Sequence, residues 1–252
     1  MGKLVGIVQF KGKVGEVVGS KGAKSMILRA YQPDVKQANT VPQVKARVKF
    51  LTLTALSKVT KKLQFGLASY AADKNLTKSN AFSKLNANTV TVNDPTQQNP
   101  NYEGEIDWSK VRFSLGDVPG VMFRRPDLTT PGEISSDISD PELVGLDQAA
   151  RNATTRRAFL AAIVPATSEC AVSYPTSTAT GSVTIAVPSH WNGMTVEIYG
   201  WVMDFNTAEE AIAYDSYWTS GAYSLEAKAT IARMQAAARY STTQYLGNGE
   251  LG

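Results

Sequence analysis

Hydrophobic positions recur along this chain at two different periods. Val44, Val48, Leu51 and Ala55 fall on one face of a helix, and Leu56, Val59 and Leu63 extend the stripe. Thr40-Val-Pro-Gln43 is a helix start: Thr40 can cap, Pro42 suits the first turn, and Gln43 stands at the capping-box position. The spacing predicts a helix over 41–64, with Lys45, Arg47, Lys49, Lys58 and Lys61 on its other face. Before it, apolar runs at 4–10, 14–18 and 25–31 are separated by Gly-containing turns, the pattern of a hairpin or meander. Glycines at 6, 12, 15, 19 and 22 make this arm too flexible for a strong core of its own, so it needs a partner or the following helix to pack on.

Residues 76–100 are polar and Asn-rich and read as a loop with at most one strand, at 89–92. Residues 105–115 alternate as a strand does, and 116–120 form a turn. The stretch 124–157 carries Glu133, Asp137, Asp140, Glu142 and Asp147 and reads as an acidic surface loop or short helix. Apolar runs at 157–164, 169–174, 181–187 and 195–205, joined by polar turns, predict an antiparallel sandwich or barrel. Thr207-Ala-Glu-Glu210 opens a second capping box. A helix near 208–216 and another from 224 to about 239 form a helical hairpin inserted before a closing strand at 241–246.

Charge changes this picture. Residues 1–62 hold 13 Lys or Arg against Glu16 and Asp34, a net charge of +11. The whole chain of 252 residues is +4, so the remainder is −7. A basic end on an acidic body points to an anionic partner for the basic part, either nucleic acid or an acidic protein surface such as a neighbouring copy. The candidate contact residues are Lys3, Lys11, Lys13, Lys21, Lys24, Arg29, Lys36, Lys45, Arg47 and Lys49, with Phe10 and Tyr31 able to stack on bases of a single-stranded DNA genome. Tyr199, Trp201 and Phe205 read as core, whereas Tyr214, Tyr217, Trp218 and Tyr223, on the helical insertion, read as a protein interface.

Catalytic and metal chemistry find little support. Gly19-Ser-Lys-Gly-Ala-Lys-Ser25 lacks the spacing of a phosphate-binding loop and reads as a hairpin turn. His190 is the single histidine; Ser189 and Asp204 are its formal partners, and no nucleophile elbow surrounds it. One His and one Cys make no zinc site, and the carboxylates of 133–147 do not follow an EF-hand pattern. Cys170 reads as a small buried hydrophobe. Neither enzyme activity, a cofactor nor a metal is expected. The N-terminus lacks the apolar core of a signal peptide, and no membrane span is expected.

A set of residues along the chain resembles a known family. It includes Gly12-Lys-Val-Gly15, Val18-Gly19, Arg29, Pro33, Pro42-Gln43, Arg47, Phe50, Phe65-Gly66, Ala81-Phe82, Asp107-Trp-Ser-Lys110 and Ser114-Leu-Gly116. Val187-Pro-Ser-His-Trp191, Thr195-Val196 and residues 241–247 complete it. On these residues the chain resembles an uncharacterised family common in Bacteroidota genomes and their phages. Its members look like a glycine-rich N-terminal hairpin, a helix and a C-terminal immunoglobulin-like β domain; the acidic stretch and the helical hairpin depart from that pattern.

The expected fold is α+β, mainly β. Residues 1–100 form a basic hairpin-plus-helix region. Residues 101–252 form an Ig-like antiparallel sandwich with an acidic loop at 124–157 and a helical insertion at 207–240. The phage association implies a virion structural protein, assembled in the host cytoplasm, that self-associates or binds other virion proteins. The other expectation is a bacterial Ig-like adhesion module with no nucleic-acid role.

Overall fold

The computed structural model describes residues 2–4, 12–14, 17–21, 26–30, 40–96, 101–139, 154–179, 181–220 and 224–252. The chain mixes helices with antiparallel sheets. Four short strands come first: β1 (Gly2–Leu4), β2 (Gly12–Val14), β3 (Val17–Lys21) and β4 (Met26–Ala30). They pair antiparallel in the order β1-β4-β3-β2. Helix α1 (Val41–Val59) then tightens into a 3-10 helix, Thr60–Leu67, followed by α2 (Ala68–Asp73) and α3 (Lys78–Leu85). α3 lies where the polar composition predicts a loop. Thr77 caps it by accepting from the Asn80 N–H at 3.2 Å, and it buries Ala81 and Phe82. Two apolar anchors make too short a stripe for periodicity to register.

β5 (Val90–Asn93) and β6 (Glu103–Ile106) form a two-stranded ladder against α1. The strand expected over 105–115 ends at Ile106 and gives way to a 3-10 turn, Trp108–Lys110. The remaining strands are β7 (Met122–Phe123), β8 (Glu133–Ser139), β9 (Arg156–Val164), β10 (Glu169–Val172), β11 (Thr176–Ser177), β12 (Ser182–Ala186) and β13 (Thr195–Asp204). Helices α4 (Ala208–Ser220) and α5 (Leu225–Ala237) precede β14 (Arg239–Tyr240) and β15 (Gln244–Glu250). The acidic stretch therefore contains a strand. In β8, Ile134, Ser136 and Ile138 turn inward while Asp137 faces out. The central inward position is a serine, whose Oγ donates to the Arg124 carbonyl at 2.8 Å, so the alternation is hidden in the hydropathy. Asp140, Glu142 and Asp147 lie outside the described residues.

β9 and β13 are the centre of the molecule. They pair antiparallel from Glu197↔Ile163 to Asp204↔Arg156. β10 and β11 line the free side of β9, and β14 and β15 line the far side of β13. Because strand side chains alternate, the two central strands build two cores. Phe159, Ala161, Ile163, Tyr199, Trp201 and Met203 face the helical layer, where Leu63, Phe65, Phe82 and Tyr214 meet them. Leu160, Ala162, Val164, Val196, Ile198 and Val202 face the three-stranded sheet β12-β8-β7, with its Ile134, Ile138, Val183 and Ile185. The first core joins residues from both sides of position 100.

Arg156 and Arg157 are buried at the start of β9. Arg157 grips Asp215 on α4, with Nε 3.0 and 2.9 Å from the two carboxylate oxygens and Nη2 at 2.8 Å from Oδ2. This charge-assisted fork fixes the helical pair α4/α5 to the sheet.

Gly200 lets β13 approach β7 closely. A Cβ there would sit 2.7 Å from the Phe123 ring of β7. Gly200→Ala is therefore expected to lower stability by about 1–3 kcal/mol in urea unfolding. In a Phe123→Ala background the same change should cost far less. Equal costs in the two backgrounds would place the strain elsewhere.

Candidate anionic-partner surface on helix α1

α1 starts as its sequence directs. Gln43 Oε1 accepts from the Thr40 N–H at 3.4 Å, and Pro42 occupies the first turn. Thr52 and Thr54, which resist helices, turn their hydroxyls back to the Val48 and Phe50 carbonyls at 3.0 and 2.8 Å. One face packs inward: Leu53, Leu56 and Ser57 are buried. Gly104 of β6 allows the close approach on that side, since a Cβ there would lie 2.1 Å from Thr52 Oγ1.

The stripe Val44–Val48–Leu51–Ala55 is not the packed face. Leu51 and its neighbour Phe50 are each 65% exposed, Ala55 is exposed, and Val44 and Val48 are half-buried. Val41 at the helix start is exposed as well. Arg47 and Lys58 lie exposed on the row that runs through Leu51, and Lys61 and Lys62 follow in the 3-10 turn. α1 contains no Asp or Glu. The result is an apolar ribbon bordered by cations.

The ribbon leads into a cavity of about 130 Å³ between α1, β6 and the end of β9. Ala55, Val59, Ile106, Trp108, Ile163 and Pro165 are among its walls. On the other flank, Lys45 Nζ lies 2.8 Å from Asp94 Oδ1 and 6.0 Å from the centre of the Tyr102 ring. That pair ties the chain beyond β5 to the helix. The apolar ribbon and its cavity escape sequence reading because both faces of α1 carry hydrophobic residues; the adjacent pair Phe50-Leu51, which cannot share one narrow stripe, is the signal that marks the second face.

The other predicted contact residues divide. Lys3, Lys13, Lys21 and Arg29 stand in β1, β2, β3 and β4, with Lys3↔Ile27, Lys13↔Val18, Lys21↔Met26 and Val18↔Arg29 in register. Lys11, Lys24 and Lys36, with Phe10 and Tyr31, lie outside the described residues. Lys49 is half-buried on α1. Of the segment 19–25, Gly19 to Lys21 belong to β3, and the rest falls outside the described residues between the paired strands β3 and β4.

Of the aromatic interface group, Tyr214 is core, its ring 5.1 Å from that of Phe205. Trp218 is half-buried against Phe65 and Phe159, at 5.6 and 6.1 Å, and Tyr217 is half-buried. Tyr223 lies outside the described residues.

His190 Nε2 lies 2.8 Å from Glu169 Oε2, the same oxygen that accepts from Trp191 Nε1 at 2.8 Å and Thr167 Oγ1 at 3.0 Å. These bonds hold the Glu169 carboxyl below its usual range. Asp204 is engaged elsewhere, by Arg239 at 2.7 Å and Thr155 at 2.9 Å. Cys170 donates to the Val59 carbonyl at 3.2 Å, and burial pushes its thiol up, away from the reactive thiolate. Burial also raises the Tyr240 hydroxyl, which donates to the Gln235 carbonyl at 2.8 Å. Among the described residues, no group of three or more His, Cys, Asp or Glu is placed to hold a metal, and no helix is long and apolar enough to cross a membrane. A wider groove of about 320 Å³ near β15 mixes Arg125 with Asp127 and Glu250, so it presents no single charge.

Residues 9–217, more than four-fifths of the chain, match a family of unknown function, DUF6266. No curated protein and no solved structure matches the chain.

Two outcomes follow from this surface. Phe50→Ser and Leu51→Ser should each shift monomer stability by no more than about 0.5 kcal/mol, because neither side chain is packed. Leu56→Ala, one turn further on the packed face, should cost about 2–5 kcal/mol. Thermal unfolding at low protein concentration separates the two faces, and a large cost at Leu51 would mean that the ribbon is already covered.

Glu169 gives a pH signature. Its folded carboxyl lies below the unfolded value, so its contribution is complete above about pH 4.3 and is lost as pH falls through the folded value. The gap in Tm between the wild type and Glu169→Gln should therefore narrow from about pH 6 to about pH 3. A gap unchanged over that range would show that the charge contributes nothing.

Proposed function

The chain belongs to this family, and we propose that it is a phage virion structural protein that self-assembles, with its basic N-terminal region facing a neighbouring subunit. The observation that carries this reading is the acid-free face of α1, where Phe50 and Leu51 stand exposed beside Arg47 and Lys58. Cations alone suit phosphates, but exposed apolar side chains between them gain most from a protein surface that is both acidic and apolar. The −7 carried by residues 63–252 supplies such a surface on another copy. In this reading the sheet β12-β8-β7 and the β9/β13 sheet form an immunoglobulin-like sandwich, and the helical layer is added to it. Assembly takes place in the host cytoplasm, and catalysis has no part in it.

Mass photometry and sedimentation of the full chain test this, at about 50 mM and about 500 mM salt, where screening differs strongly. Self-association at low salt that weakens at high salt is the expected result. A monomer under both conditions would overturn the reading in favour of an adhesion module. Binding to a labelled single-stranded oligonucleotide, lost when Lys45, Arg47 and Lys49 are neutralised and unaccompanied by self-association, would assign the basic face to packaged nucleic acid instead.

A further inference from the structure

We propose that the exposed stripe of α1 packs against the outer stripe of α4 on a second copy, with the two helices antiparallel. This deepens the self-assembly reading and rests on it. The first argument is charge. α4 carries Glu209, Glu210 and Asp215 and no Lys or Arg, whereas α1 carries no acid. Asp215 is taken by Arg157 inside the molecule, so the acidic end of α4 is its first turn. On the outer face of α4 stand Glu209, Ile212 and Ser216, all exposed, with Ile212 at 61%. On the outer face of α1 stand Leu51, Ala55 and Lys58, also exposed. Among the described residues neither Lys58 nor Glu209 takes part in an ion pair. The Glu209 N–H and the Thr207 hydroxyl hold the Glu209 carboxyl below its usual range, so it stays charged.

The second argument is the order of side chains. From Leu51 to Lys58 and from Glu209 to Ser216 is seven residues, about 10 Å of helix in each case. That spacing is common to helical stripes; sizes and charges select the partner. Run antiparallel, the stripes set Lys58 against Glu209, Ala55 against Ile212 and Leu51 against Ser216. Opposite charges meet, and at each apolar step a large side chain faces a small one, as interdigitating helices require. Run parallel, they set Glu209 on Leu51 and cover a carboxylate with an apolar side chain, which is costly. The cavity of about 130 Å³ opens beside Ala55 and gives Ile212 further room. Ser216 brings no unmet donor, because its hydroxyl already donates to the Ile212 carbonyl at 3.0 Å. The antiparallel arrangement also sets the last turn of α1 beside the first turn of α4, opposite ends of two helix dipoles.

The third argument places the partner on another molecule. α1 is fixed to the core by Leu53 and Leu56 and lines the cavity beside Ile163, near one end of β9. α4 is fixed by buried Tyr214 and by the grip of Arg157 on Asp215, near the other end. Arg157 and Ile163 are six residues apart, about 20 Å along the strand. Both helices are pinned by their inner faces while both outer stripes stay exposed, so one chain does not close them on each other. Each copy then offers one stripe and accepts another, joining two different patches on successive copies. Two helices meeting over two turns cover less than a standard interface, so each contact is weak and concentration-dependent.

Cross-linking of the full chain tests the pairing. In a Cys170→Ser background, Leu51→Cys chains mixed with Ser216→Cys chains should form an intermolecular disulfide under mild oxidation at high protein concentration. Leu51→Cys mixed with Ala236→Cys, an exposed position on α5, is the control and should cross-link far less. Lys58→Glu and Glu209→Lys should each weaken self-association by about threefold to tenfold. Mixing these two variants should restore it, as should both changes in one chain, because opposite charges then face each other again. Ile212→Asp should weaken association at least about tenfold while the circular dichroism and thermal unfolding of the monomer stay as in the wild type.

A wild-type chain that associates but cross-links no better than the control would overturn this pairing and leave the self-assembly reading in place. Charge reversals that change nothing, or whose loss is not rescued on mixing, would also overturn it. Association that Leu51→Asp weakens and Ile212→Asp leaves unchanged would overturn it too, since another surface then covers α1. A wild-type chain that stays monomeric at every concentration would take down both.

Discussion

The pairing of β9 with β13 is the constraint on which the rest of this molecule depends. Both strands are almost wholly buried, and each supplies alternate side chains to opposite cores. Such strands cannot exist with either layer missing, because removing one layer would expose a full row of large apolar groups to water. The helical layer and the sheet β12-β8-β7 are thus coupled through two strands that neither contains. Where the register runs out at Arg156 and Asp204, the strand ends turn polar, and Arg157 reaches across to Asp215 to secure the helical pair.

With the sheet covered in this way, α1 is left with a divided role. Its inner face, at Leu53 and Leu56, closes the core, while its outer face keeps hydrophobic and cationic residues together at the surface. A helix whose only task was to cap the sheet would be expected to carry mixed charge outside. α1 contains no acid, although residues 63–252 carry a net −7. Four of the 13 cations of residues 1–62 stand on this helix.

Much of this architecture is legible in the sequence. The four apolar runs from 157 to 205 lie in β9, β10, β12 and β13, and the capping residues at Thr40 and Thr207 stand at true helix starts. What escapes follows from physics that local patterns do not carry. α3 rests on a side-chain cap at Thr77 and two buried residues, and β8 hides its inward face behind Ser136. Arg156 and Arg157 look like surface charge until their partners, distant in sequence, come into place. The stripe 44/48/51/55 has helical period, but period cannot say which of two apolar faces wins the core. Tyr214 sits on an insertion and looks like interface in the sequence, yet it is buried with its ring 5.1 Å from that of Phe205.

The placement of β9 has a mechanical consequence. The acidic segment enters at its Arg156 end, and α1 meets its Ile163 end. Tension between these two points travels lengthwise down the strand. The covalent backbone of β9 carries such a pull, and its eight register pairs with β13 hold it in line. A load of this kind passes through a strand held by sheet neighbours on both sides, with the surface loops outside its line.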